Sequence, residues 1–543
     1  MHILCRSLLC IPLLLAVPAA RCVGQATPRL PGELAWTIGY DPKTFDPAKV
    51  DDIDSETVRF LTGGVLLRFN RRTQQVEPHL AESWDVSRDG KTVTFKLRPG
   101  LRFSDGSSLT SRDAAWSIRR VLLAATAAPV ADEFVSASGV TVDSPDASTV
   151  IVHLPQRVIG IGKVFDEIAI EPAERPSEGR VTSGAFSVAD YQRSQFVRLR
   201  RNAFYYERDS SGATLPYATG VRLDILNNTE QETRQFLRGD YDLINGVPPD
   251  YFELLKKQAS STVRDLGPSL NTEQMWFNQS PSSPLPAWEK AWFQQQAFRV
   301  AVSQAIHRDD LARIAYLGHA TPAYSFISPA NSVWYNRNLS APHTDLNAAK
   351  SALARAGFHM KGSQLEDAAG HAVRFSILTN SGNAARQKMA ILIQQDLAAL
   401  GMTVNVVALD FPALVERLMH TQDYEACLLG LENVDPEPNS MMNVWPSSAP
   451  NHQWNPSQKT PATPWEAEID REMNRQATSL NAAERKQAVD RVQQIIADQQ
   501  PFLYLVYPNT LVAISPRLQG VEPAVLEPEL FWNAERLRLR GPQ

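Results

Sequence analysis

Two side chains, Asn380 and Glu432, stand just beyond apolar runs of the chain, Ala372 to Leu378 and Tyr424 to Leu431. Both runs read as buried strands. Open parallel sheets bind ligands beyond the carboxyl ends of their strands, so a carboxamide and a carboxylate at those ends could hydrogen-bond or charge-pair with a solute. Gly430 and Leu431 offer backbone groups to an extended ligand, as in strand-addition recognition. Glu432 opens the loop Glu432-Asn433-Val434-Asp435-Pro436, with Asn433 beside it and Asp435 placed to shape the turn before the proline. Trp445, Trp454 and Trp465 follow in a stretch rich in Pro, Asn and Ser. Such rings line a cleft or pack in a core; Trp445, nearest to Glu432, is the cleft candidate. Read from the residues alone, Glu432 is better taken as a solvated loop acid.

Other chemistry is thinly represented. The chain has no G-x-S-x-G elbow, no HExxH, no CxxC and no P-loop, the patterns that would announce a hydrolase, a zinc site or a nucleotide site. His307, His319, His343, His371, His420 and His452 are scattered, so neither a metal nor a cofactor is expected. The net charge of -5 is small and no basic run occurs, so nucleic acid is not an expected partner.

The elements that must position these residues follow from periodicity. Ala384 to Leu400 reads as a helix with Met389, Ile393, Leu397 and Leu400 on one side, stopped by Gly401. With the strands Ala372 to Leu378 and Met402 to Leu409 it makes a βαβ unit, hence a parallel pair with a right-handed crossover. Phe502 to Val506 and Leu511 to Ile514 read as two further strands. Far upstream, Thr92 to Leu97 alternates, with Val93, Phe95 and Leu97 facing one way. Asp89-Gly90 and Asp105-Gly106 supply turns, Leu101 to Phe103 a short strand, and Thr110 with Asp113 a capping-box pair. The length of 543 residues allows two to four domains.

The stretch from Glu77 to Arg120, EPHLAESWDVSRDGKTVTFKLRPGLRFSDGSSLTSRDAAWSIRR, also resembles the signature of the family 5 extracellular solute-binding proteins, which include the oligopeptide- and dipeptide-binding proteins of ABC importers. Phe45-Asp46-Pro47-Ala48, Gly184-Ala185-Phe186 with Leu199 to Tyr206, Phe298 to Arg308 and Asp345 to Phe358 are similar to further family motifs, so the resemblance runs from about Leu34 to about Pro523. It implies an α/β periplasmic-binding-protein fold of type II (cluster C): two lobes with a hinge, and three domains of which the first is discontinuous. The expected spans are 33–62, 196–277 and 506–543 for the first domain, 63–195 for the second and 278–505 for the third. The resemblance further implies a non-enzymatic carrier, expected as a monomer, that captures a peptide-like solute and delivers it to ABC permease subunits. A non-peptide solute (an oligosaccharide, a metal chelate or haem) is the alternative, and a secreted hydrolase a distant one. Peptide-binding relatives place an aspartate where Glu432 stands, against the peptide ammonium. Dipeptide-specific relatives place an arginine after the strand matching Ala372 to Leu378. Here that position reads Thr379-Asn380-Ser381, and the next arginine, Arg386, lies further on within the expected helix, so longer peptides or another solute are expected.

Leu8 to Val17 is a ten-residue apolar core behind Arg6, followed by small residues around 19 and 26. It reads as an export signal over 1–26, too short for a permanent span, and a periplasmic location is expected, with the membrane reached through the permease. Cys22 as a lipid-attachment site is the disfavoured alternative, because Arg21 precedes it. Cys427 reads as a small hydrophobe.

Overall fold

The computed structural model describes residues 29–134, 139–173, 175, 178–340, 344–431 and 436–540. The apolar leader and Cys22 therefore lie outside the described residues. Among those described, no helix is long and apolar enough to cross a membrane.

Three sheets organise the chain. The first runs in the order Glu33–Ile38, Gly220–Ile225, Phe196–Arg201, Phe186–Gln192. Its opening pair is parallel and the others antiparallel. Leu34, Trp36, Leu199, Val221 and Leu223 form its core. The second sheet, in the order Ala81–Val86, Thr92–Leu97, Thr149–His153, Thr141–Asp146, is antiparallel throughout. Its expected details are present. Val93, Phe95 and Leu97 are buried, Gly90 and Gly106 take φ of +71° and +84°, and the Thr110 N–H donates to Asp113 Oδ2 at 2.8 Å to open the helix Ser111–Leu122. That helix buries Ala114, Ala115, Ile118 and Val121, while Trp116 stays half-buried with the Arg120 guanidinium over its ring. Leu101 to Phe103 does not form a strand. The turns on either side leave room for one bridge only, Arg102 with Ser108.

The third sheet carries the expected βαβ unit. Arg374–Asn380 and Thr403–Leu409 pair in parallel, and the helix Ala384–Ala398 between them buries Met389, Ile393 and Leu397. Gly401, at φ +79°, ends the turn that follows. Next in the sheet come Ala426–Leu431, Thr272–Phe277 and Phe502–Ile514. Cys427 is a free, fully buried thiol at the centre of this sheet, and burial pushes its pKa up.

Three expectations about connectivity need correction. Phe502–Ile514 is one strand of 13 residues, not two. Its first half pairs with Thr272–Phe277, and its second half with Val263–Pro268 and Leu243–Ile244. Pro508 has no N–H to give a ladder, and it sits where the strand passes from one set of partners to the other, so it does not break the chain direction. Thr272–Phe277 pairs with Ala426–Leu431, which puts it in the larger lobe's sheet and moves the upstream crossing to 269–271. Phe186–Gln192 pairs in the first sheet, so the second domain's sheet ends well before residue 195.

Within the smaller lobe, a band of buried charge joins the first and second sheets. Arg68 Nη1 donates to Glu535 Oε1 at 3.0 Å and Arg71 Nη1 to Asp166 Oδ2 at 3.0 Å. Arg59 Nη1 donates to the carbonyls of Asp166 and Glu167. His79 stands between the Val65 carbonyl and the Tyr205 hydroxyl. Its burial, helped by Arg68, pushes its pKa down to about 4.

Candidate functional site

The strand Arg374–Asn380 and the helix Ala384–Ala398 are joined by a tight turn. Asn383 caps the helix, its Oδ1 accepting the Arg386 N–H at 3.0 Å. This cap starts the helix directly over the strand end, and Arg386, in the first turn, folds back across it. Arg386 Nη1 donates to Asn380 Oδ1 at 3.1 Å, and Nε donates to Glu273 Oε2 at 2.8 Å. The Tyr316 hydroxyl donates to the other Glu273 oxygen at 3.1 Å. Burial, with Glu273 beside it, raises the Tyr316 pKa well above the usual phenol value, so it stays a donor.

Gly430 belongs to the same cluster. It is the register partner of Glu273 on the neighbouring strand. A Cβ at Gly430 would stand 2.2 Å from Arg386 Nη2 and 3.0 Å from Glu273 Oε1. Glycine is required here by close approach: its missing side chain is the space the guanidinium occupies. The Glu273 and Arg386 side chains are only 6% and 18% exposed, so their hydrogen bonds are charge-assisted and largely shielded, each worth about 1.5–3 kcal/mol.

The cluster therefore unites Asn380 and Gly430 with Arg386, which the sequence reading set aside as a ligand clamp, and with two residues absent from that reading, Glu273 and Tyr316. Glu273 is an acid in a strand, Thr272–Phe277, that is buried along its whole length; the Asn383 cap was the signal for Arg386. Leu431, half-buried and paired opposite Thr272, packs against the aromatic core. Glu432 and Asn433 lie outside the described residues. Trp445 is corrected to a core residue. It is fully buried, with Phe326, Phe502 and Trp454 ring centroids at 4.6, 5.8 and 6.1 Å. Its nearness to Glu432 in sequence carries no information about the face it occupies.

The Pro436 carbonyl accepts from Asn331 Nδ2 at 2.8 Å. Leu270 of the crossing, Phe326, Asn331, Pro436 and Met441 border a cavity of about 20 Å³, room for one water. The smaller lobe touches the larger here, with Gly160 set against Glu437. Among the described residues no group of His, Cys, Asp and Glu could hold a metal ion.

Two lobes tied by two crossings, with a polar cluster at the strand ends of the larger one, define a two-lobed α/β solute-binding protein. Residues 75–453 match the family described as bacterial extracellular solute-binding proteins, family 5 (middle region), and the chain belongs to that family. A probable ABC transporter-binding protein of Deinococcus radiodurans is 25% identical, the alignment covering 88% of this chain and 87% of that protein. The oligopeptide-binding protein AppA of Bacillus subtilis is 22% identical over 91% of this chain and 89% of that protein. Among solved structures, the ABC transporter substrate-binding protein CtaP of Listeria monocytogenes superposes with a TM-score of 0.77 at 21% identity, covering 93% of this chain and 99% of that one. Family members are transport proteins that bind solutes outside the cytoplasm.

Proposed function

We propose that this protein captures a peptide-like solute between its lobes and delivers it to the permease subunits of an ABC importer. The observation that supports this reading most is the Asn380–Arg386–Glu273–Gly430 cluster, gathered at the carboxyl ends of the strands Arg374–Asn380 and Ala426–Leu431; Glu432 follows the second of these strands in sequence. Arg386 Nη2 fills the space a Cβ at Gly430 would take, and its N–H groups are the ones left to meet a ligand carbonyl or carboxylate. Glu432, one methylene longer than the aspartate of the peptide-binding relatives, takes the ligand ammonium. A cation and an anion in one binding site would suit a zwitterionic, extended ligand.

The test is a thermal-shift screen of the purified protein against di- to nonapeptides, oligosaccharides and metal chelates, followed by calorimetry on the best ligand. A peptide should give the largest shift; a shift from sugars or chelates alone would overturn the peptide reading. Glu432→Ala and Arg386→Met should each weaken that ligand about tenfold or more, the loss of one charge-assisted bond. Unchanged affinity in Glu432→Ala removes Glu432 from the site.

A further inference from the structure

The strands Leu67–Asn70 and Gln75–Pro78 form a hairpin of the smaller lobe. Its turn is built locally. Asn70 Oδ1 accepts the N–H groups of Arg72 and Thr73 at 2.9 and 3.0 Å, and the Gln74 N–H donates to the Asn70 carbonyl at 2.9 Å. Gln74 itself has φ +57°, a left-handed conformation in which a Cβ is unfavourable and glycine is at ease. None of these turn bonds uses the Gln74 side chain, so the hairpin alone would be served better by glycine.

The side chain instead leaves its own lobe. Gln74 Nε2 donates to the Ala330 carbonyl at 2.7 Å, and Gln74 Oε1 accepts from Ser332 Oγ at 3.4 Å. Both partners belong to the larger lobe. Below this contact, Phe69 and Val76 of the hairpin pack with Leu270 of the crossing, with Leu526 and with Ala330. The hairpin thus meets the larger lobe with an apolar base and a single amide at its tip. A glutamine held in an unfavourable backbone conformation, with its amide spent on the other lobe, is the pattern of a residue kept for reach and not for the turn.

We propose that Gln74 is a closure latch, holding the two lobes together through Ala330 and Ser332 at a cost to its own hairpin. A latch of this kind needs little energy, because lobe closure is a balance between two states that differ by a few hydrogen bonds. The proposal goes beyond the identity of the solute, and its test uses no ligand, so a wrong solute class would leave it standing.

The test compares the full chain with its Gln74→Gly, Gln74→Asn and Gln74→Ala variants by small-angle X-ray scattering and thermal unfolding. Glycine relieves the backbone. Asparagine tolerates the left-handed region but is one methylene too short to reach Ala330. Alanine keeps the strain and removes the amide. All three variants should show a larger radius of gyration than the wild type. The melting temperature should hold or rise for glycine and fall for alanine. A radius of gyration unchanged in all three overturns the latch. So does a melting temperature that falls as far for glycine as for alanine, since Gln74 would then be supporting its own hairpin.

Discussion

At the seam inside the smaller lobe, Arg68 meets Glu535 and Arg71 meets Asp166, with none of the four side chains more than 14% exposed. Between the lobes, the comparable contacts are the Gln74 amide and the imidazole of His319, whose partners Glu253 and Asp265 are 30% and 31% exposed. The first seam uses full charges withdrawn from water, and the second uses single amide and imidazole groups that water can replace. Removing one member of a buried pair strands the other, whereas a half-exposed partner is simply rehydrated. The seam that must not move is therefore expensive to break, and the joint that must move is cheap.

The sharpest way to break that contrast is Arg68→Ala. It removes the hydrogen-bonded cation from buried Glu535, leaving it only the more distant Arg536 guanidinium at 3.8 Å, and takes away the charge that lies over the Trp532 and Phe60 rings. A loss of about 3–5 kcal/mol is expected in urea unfolding. A loss below about 1 kcal/mol would put the internal seam on the same footing as the joint between lobes.

The same seam should also report on pH. His79 is buried and its pKa is depressed to about 4 from 6.5. In the unfolded chain it takes up a proton below about 6.5, while in the folded chain it does so only near 4. The unfolded state therefore binds more protons in that window, and stability falls as pH is lowered through it, by about 3 kcal/mol in all. His79→Gln should flatten the stability profile between pH 6.5 and 4 without changing it above pH 7. An unchanged profile in the variant would show that carboxylates, such as Glu466 with its pKa lowered to about 2, set the acid limit instead.

Much of this arrangement was readable from residue order, but unevenly. The strand Thr92–Leu97 and the helix Ala384–Ala398 were legible because their patterns are local: alternation in one, a four-residue apolar spacing in the other, each closed by glycine turns. The family motifs then carried the lobe plan. What stayed hidden depended on which face a side chain takes once elements meet. Trp445 looked like a cleft ring and lies in the core. Glu273 has no local pattern to mark it, and it is a buried acid that holds Arg386. Arg386 falls over the strand end because the Asn383 cap, not the helix period, sets where the helix starts. The runs Phe502 to Val506 and Leu511 to Ile514 join into one strand because the partners change near Pro508, where a missing donor costs no ladder bond.

The smallest effect expected is at His319, and it tests the movable side of the comparison. Its Nδ1 lies 2.7 Å from Asp265 Oδ2 and its Nε2 3.0 Å from Glu253 Oε1, both across the crossing from its own lobe. The backbone is tied here as well, with the Asn509 N–H donating to the His319 carbonyl at 3.0 Å and the Ser269 N–H to Pro508 at 2.9 Å. His319→Gln keeps one amide donor and frees one carboxylate that is already partly in water, so global stability should drop by only about 1 kcal/mol. Local opening should change more, because these two backbone bonds then lose their side-chain support. Hydrogen exchange at the Asn509 and Ser269 amides should quicken several-fold while exchange in the core strand Thr272–Phe277 stays as it was. A loss as large as that of Arg68→Ala, spread over both lobes, would mean that His319 holds a rigid seam and that the hinge must be sought elsewhere.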